Sequence, residues 1–198
     1  MIKTIFKSLF LLILVSAQAQ YDNLRSGDLI FQISTSSQGV AVQLATHSQY
    51  THVGIIIKEN NRWVVYEATQ LVKKTVLTQW INRGDQQHFV VKRADTSLTS
   101  QMISQMKTYL QHQVGKSYDI YFNWSDDEMY CSELAWKAFN KIGVRLCALR
   151  AMHTFDLTHP VVKAKLKERY GDKIPLNENV VAPSDLFESD KMILISKG

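Results

Sequence analysis

Thr51-His52-Val53-Gly54-Ile55-Ile56-Ile57, then Lys58-Glu59, then Asn60-Asn61, then Trp63-Val64-Val65-Tyr66-Glu67-Ala68 is the stretch that decides the fold. Two apolar, β-branched runs flank a pair of asparagines, and asparagine tolerates the positive φ that tight hairpin turns demand. The stretch therefore predicts an antiparallel hairpin. If the turn centres on Asn60-Asn61, facing residues have numbers that sum to 121. Glu67 then lies opposite Gly54, diagonal to His52 and on the same face of the hairpin. Diagonal neighbours sit ~7–8 Å apart between backbones, within reach of long side chains. A one-residue slip would move Glu67 to the other face.

Working outward, Arg25-Ser26-Gly27-Asp28 reads as a turn into a strand at Leu29-Ile30-Phe31, and Val40 to Ala45 reads as a short helix. A further strand is expected over Gln87 to Lys92. Met102, Ile103, Met106, Tyr109, Leu110 and Val114 recur at helical spacing. So do Cys131, Leu134, Ala135, Ala138, Phe139 and Ile142, closed by Gly143. Pro160 is placed to start a third long helix, and Met192-Ile193-Leu194-Ile195 to form a last strand. No repeat, low-complexity linker or composition break follows residue 20. The expectation is one α+β domain over residues 20–198.

Residues 1–19 stand apart. Lys3 and Lys7 precede the apolar run Leu9 to Val15, and Ala17-Gln18-Ala19 supplies a small-residue cleavage pattern. This is the grammar of a cleaved secretory signal, and the apolar run is short for a membrane span. The expected location is therefore periplasmic or secreted, with no stable membrane insertion after cleavage. Losing Lys3 and Lys7 lowers the 23 basic residues to 21 against 18 acidic ones, a net charge of +3. The basic residues are scattered except for Lys163, Lys165, Lys167 and Arg169, which have the spacing of a solvated helix face. Nothing in this pattern calls for nucleic acid.

The two cysteines, Cys131 and Cys147, have no zinc-type spacing. A helix running from Cys131 would hold the pair apart, so no disulfide is expected between them. Cys147 reads as small and buried. Cys131 opens a helix, where the positive end of the macrodipole and free N–H groups stabilise a thiolate and can hold an oxyanion. A thiol nucleophile needs a base, and the base needs an orienting group. Cys131, His52 and Glu67 supply that set. His47, His88, His112, His153 and His159 sit in contexts typical of structural histidines. Asp126-Asp127-Glu128, just before Cys131, would disfavour a thiolate if they faced it. They form either a solvated loop or an acidic rim for an amine-bearing substrate.

Gly27-Asp28-Leu29-Ile30-Phe31, Thr51-His52-Val53-Gly54-Ile55 and Tyr130-Cys131-Ser132-Glu133-Leu134, in that order, resemble the YiiX/YebB-like branch of the circularly permuted NlpC/P60 family. The cysteine helix follows the Gly-Asp-Leu and His-Val-Gly strands instead of preceding them. The similarity extends from about Leu24 to Ala182-Pro183-Ser184-Asp185-Leu186. It implies a papain-like α+β fold with an antiparallel sheet or small barrel packed on the cysteine helix. It also implies a nucleophile at Cys131, a base at His52 and an orienting residue at Glu67. No cofactor or metal is expected. Tyr118 matches the Tyr-Asp segment that precedes the cysteine in these proteins, as a pocket or oxyanion residue. Tyr50 and Tyr66 are lesser candidates for the same work.

The activity expected is an exported thiol amide hydrolase acting on a peptide, such as a cell-wall stem peptide or its fragments. The alternatives are a lipid acyl hydrolase or acyltransferase using the same triad, and a binding module without turnover. A zinc hydrolase is set aside, because His47 and His52 lack the i, i+4 spacing of a zinc helix. Residues after Leu146 and before Pro183 are expected to wall the cleft.

Overall fold

The computed structural model describes residues 21–198, so the signal expected over 1–19 lies outside the described residues. Strands β1 (Asp28–Gln32), β2 (His52–Glu59), β3 (Arg62–Ala68), β4 (Val72–Val76), β5 (Phe89–Ala94) and β8 (Met192–Lys197) form one sheet in the order β4-β3-β2-β1-β5-β8. Every neighbouring pair is antiparallel. Two two-residue strands, β6 (Arg150–Ala151) and β7 (Asn179–Val180), pair separately. The helices are α1 (Ser37–Thr46), α2 (Leu77–Asn82), α3 (Ser100–Gln113), α4 (Cys131–Lys141), α5 (Pro160–Tyr170) and α6 (Pro183–Phe187).

The hairpin forms in the expected register. Asn60 and Asn61 take φ of 45° and 62°, and Ile55 faces Tyr66, Ile56 faces Val65 and Ile57 faces Val64. Alternation then sorts the side chains. Val53, Ile55 and Ile57 join the core beneath α4, while Ile56 and Val65 join Trp80 and Ile81 of α2 on the opposite face. Gly54 has a specific use in this packing. A Cβ there would stand 2.3 Å from Val65 Cγ1 and 3.0 Å from the Tyr66 carbonyl oxygen. Only glycine lets the two strands close at this point, two residues from His52.

α4 buries Leu134, Ala135, Ala138 and Phe139 completely against the sheet and ends at Gly143, whose φ of 77° suits the left-handed exit. Truncating a side chain such as Leu134 leaves a cavity worth about 2–5 kcal/mol. The helix start is fixed by its own residues. Glu133 Oε2 accepts the Tyr130 backbone N–H at 3.2 Å, as in a capping box. Ser132 Oγ donates to the Val181 carbonyl at 2.7 Å, and Val181 N–H donates to Tyr130 Oη at 3.2 Å. The segment leading into α6 thus clamps the first turn of the cysteine helix. Asp185 completes the clamp by accepting the Ala182 N–H at 2.7 Å and pairing with Arg150 at 3.0 Å.

Three local expectations differ from the structure. β4 and α2 are additional elements within a region the sequence pattern left blank. The strand expected over Gln87 to Lys92 begins at Phe89, because Gln86 and Gln87 both take positive φ, 50° and 61°, which breaks the extended run. The basic stripe of α5 is only half solvated. Lys163 and Lys167 are exposed, but Lys165 and Arg169 are half-buried and turn toward the cleft described below.

Candidate active site

Cys131 is the first residue of α4 and is 5% exposed. Its thiol interacts with the His52 ring and with the backbone N–H groups of Val53 and Ser132. Burial alone would raise the thiol pKa; the hydrogen bond and charge of His52, with those two N–H groups, reverse the sign and lower it. The imidazole feels the same contest. Burial disfavours its charge, but the thiol and the Glu67 carboxylate outweigh burial and lift it to about 9. Each group thus favours the charged form of the other, the imidazolium lowering the thiol and the thiolate raising the imidazole.

His52 Nε2 donates to Glu67 Oε2 at 2.9 Å, leaving Nδ1 for the thiol. Its ring stacks on Trp80, with centroids 5.8 Å apart and planes at 20°. Glu67 is fully buried, yet its pKa falls to about 2. Burial would raise it, but His52, Thr75 and Arg83 supply more than enough compensation. Thr75 Oγ1 donates to Oε1 at 2.5 Å, and Arg83 Nη2 donates to Oε1 and Oε2 at 2.6 and 2.7 Å. A buried carboxylate held by two cations and a hydroxyl cannot turn away from the imidazole. Thr75, Arg83 and Trp80 were invisible to sequence reasoning because β4 and α2, which carry Thr75 and Trp80 and end at Arg83, were invisible.

On the thiol side lies a cleft enclosing about 820 Å³ of space, its open mouth included. Its walls are mainly apolar: Ala41 and Val42 of α1, Met152 and Phe155, and Val162 and Leu166 of α5. Residues between Leu146 and Pro183 do form a wall of the cleft, as expected. Tyr118 lines the cleft beside Cys131 and accepts from Gln38 Nε2 at 2.6 Å. Gln38 carries no motif that marks it in the sequence. Arg169 was hidden within what read as a solvated stripe.

Tyr50 and Tyr66 stand elsewhere. Tyr50 packs its ring on Phe187, with centroids 4.0 Å apart, and its hydroxyl lies 3.5 Å from His88 Nε2. Tyr66 alternates onto the face opposite Glu67 and donates to Glu59 Oε1 at 2.7 Å, toward the far end of β2 from His52. Neither reaches the cleft; each is fixed by core packing and a partner of its own.

The acidic run before Cys131 is mostly solvated. Asp126 pairs with Lys137 at 2.8 Å with its side chain 83% exposed, and Asp127 is exposed. His47 pairs with Asp156 at 3.1 Å, His153 Nδ1 meets the Leu176 carbonyl at 2.9 Å, and His159 caps α5. Cys131 and Cys147 are both free thiols. Among the described residues no group of three or more His, Cys, Asp or Glu side chains is placed to hold a metal ion.

The family model described as permuted papain-like amidases, YaeF/YiiX, C92 family, matches residues 23–196. The YiiX protein of Escherichia coli (strain K12) is 43% identical over 190 residues, spanning 96% of this chain and 94% of that protein. The crystal structure of the metalloprotein YiiX from Escherichia coli O157:H7 superposes with a TM-score of 0.85 at 43% identity, covering 89% of this chain and 98% of that one.

Proposed function

The chain belongs to the permuted papain-like amidase family, and from that premise we propose that it is an exported cysteine amidase with Cys131 as nucleophile, His52 as acid–base and Glu67 as orienting carboxylate. The observation that carries this reading is the His52–Glu67–Arg83 chain of hydrogen bonds beside a thiol at the start of α4, with an apolar cleft that Cys131 lines.

The steps follow from the geometry. The Cys131 proton passes to His52, and the thiolate attacks the carbonyl carbon of an amide lying in the cleft. The carbonyl electrons move to oxygen, where the free N–H groups at the start of α4 and the Tyr118 hydroxyl are the available donors. Collapse of the tetrahedral adduct breaks the C–N bond, and the departing nitrogen takes the proton from His52. Water then gives a proton to His52 and attacks the thioester. Collapse releases the acid, and the thiolate–imidazolium pair is restored.

The substrate class proposed first is a peptide, including cell-wall-derived peptides, with an apolar group on the acyl side of the cut bond. A lipid acyl chain is the second reading, and the aliphatic lining of the cleft favours it. Amine release should be compared for short peptide amides bearing a hydrophobic residue before the bond and for N-octanoyl amides, in wild type and Cys131→Ala. Loss of turnover in Cys131→Ala is expected; equal turnover in both would remove the assignment, and a binding module would show none in either. For export, the mature protein recovered from the producing cell should begin at Gln20, and an N-terminus at Met1 would contradict it. No helix among the described residues is long and apolar enough to cross a membrane.

A further inference from the structure

Tyr118 presents its hydroxyl to the Cys131 cleft, and the direction of its hydrogen bonding is settled by residues on two other elements. Gln38 of α1 donates through Nε2 to Tyr118 Oη at 2.6 Å, and its Oε1 accepts from Arg169 Nη2 of α5 at 2.8 Å. The two ends of a glutamine amide look alike, so their assignment rests on the partners. Arg169 decides it. A guanidinium has donors only, so the amide oxygen must face Arg169 and the NH₂ must face Tyr118. Tyr118 Oη therefore accepts that bond, and its own proton has no second protein partner among the described residues. Arg169 is itself held in place by the Phe122 ring, whose centroid lies 5.1 Å from the guanidinium carbon.

We infer that Gln38 and Arg169 are positioning residues that turn the Tyr118 hydroxyl into a one-way donor toward the oxyanion formed at Cys131. The inference rests on the thiol acyl-transfer reading given above. Burial and the adjacent thiol keep the phenol protonated by raising its pKa well above the ordinary value. A half-buried donor that is already oriented needs little reorganisation when charge develops on the carbonyl oxygen. The arrangement also explains why two half-buried groups, Gln38 and Arg169, meet across the roof of the cleft when either would be well solvated outside it.

Gln38→Glu is the decisive variant. It keeps the size of the side chain and the bond to Arg169, but a carboxylate accepts where the amide donated, so the Tyr118 hydroxyl donates its hydrogen bond to it instead of into the cleft. Two reactions of Cys131 separate the consequences. Acylation by p-nitrophenyl octanoate passes through an oxyanion; alkylation by iodoacetamide displaces iodide at a saturated carbon and forms none. Gln38→Glu should slow acylation by about 10²-fold, the usual loss for one oxyanion donor, with the plateau alkylation rate little changed. Tyr118→Phe should match it, and the double variant should be no slower than Tyr118→Phe alone. A purely electrostatic effect of the new charge would persist in the Tyr118→Phe background and overturn the inference, as would wild-type acylation in Gln38→Glu. Arg169→Met frees the amide to flip and should give a smaller acylation defect; an unchanged rate overturns its role. Should Cys131→Ala still cleave the ester, the thiol reading itself fails, which is a distinct result.

Discussion

Cys131 and Cys147 are the same side chain in one molecule, and their surroundings drive them in opposite directions. Cys147, in the loop after α4, feels burial and the Asp185 charge, partly offset by Lys191, and is pushed up to about 12. Cys131 is buried more completely, yet its pKa is lowered, because His52 and the N–H groups of Val53 and Ser132 meet the thiolate. Burial by itself makes a thiol inert. A base and oriented donors convert the same burial into activation, since each is stronger where water is excluded.

The largest expected effect breaks the comparison at its base. His52→Ala should cost at least about 10⁴-fold in turnover, the upper range for losing a general acid–base. It should also move the alkylation midpoint of Cys131 above the free-thiol value of ~8.5, toward the behaviour of Cys147. A Cys131 midpoint unchanged in that variant would show that the helix start alone lowers it. Next comes Glu67→Gln, which keeps the shape but loses the charge that holds the imidazolium. A loss of about 10²-fold is expected, read as kcat with KM little altered.

The pH dependence sharpens the same contrast. His52 is raised to about 9, so the imidazolium needed by the leaving nitrogen is lost as pH climbs through that value, and kcat should fall there. In Glu67→Gln the fall should move to lower pH. Stability follows the same groups. The raised His52 favours the fold below its ordinary value of 6.5, a contribution lost as pH rises through about 9. The lowered Glu67 favours the fold above its ordinary 4.5, a contribution lost as pH falls toward 2. Denaturant midpoints of wild type and Glu67→Gln should therefore differ most between about pH 4.5 and 6.5 and converge in strong acid.

Arg83→Met should have a smaller effect, because Thr75 and His52 still hold Glu67. About tenfold in kcat is expected, the scale of a lost bond to a charged group, with the alkaline limb shifted and KM unchanged. A shift in KM alone would mean that Arg83 meets substrate instead. The smallest effect belongs to Cys147→Ser, which should leave turnover within error. A large loss there would end the division of labour between the two thiols.

How much of this was legible in the chain depends on the range of the interaction. The Asn60-Asn61 turn fixed which residues of β2 and β3 face one another, so the His52–Glu67 pairing could be read from numbering. Residues that meet Glu67 from farther along were not readable. Thr75 lies in Val72-Lys73-Lys74-Thr75-Val76, an edge strand with mostly exposed side chains and so no strong apolar alternation. Arg83 follows a six-residue helix, too short for periodicity to register. Tyr50 and Tyr66 show the converse error. Their place in motif-bearing stretches suggested the site, and the alternation of the strand and the packing of Phe187 sent them elsewhere.

By itself, the sequence determined the α+β class, the hairpin register, the two long central helices, the cysteine at a helix start and the permuted order of the motifs. Each of these depends on local propensity, on turn chemistry, or on the order of residues along one strand of chain. Only the tertiary structure decided what the cleft is made of and what surrounds each titrating group. α1, residues 152–157 and α5 come together over Cys131 although far apart in sequence, and α2 closes behind His52. Those contacts depend on three-dimensional packing across loops whose lengths carry no record of where they lead. The proposed catalytic groups were therefore visible in the letters, while the forces that tune them are set by burial, which only the folded chain possesses.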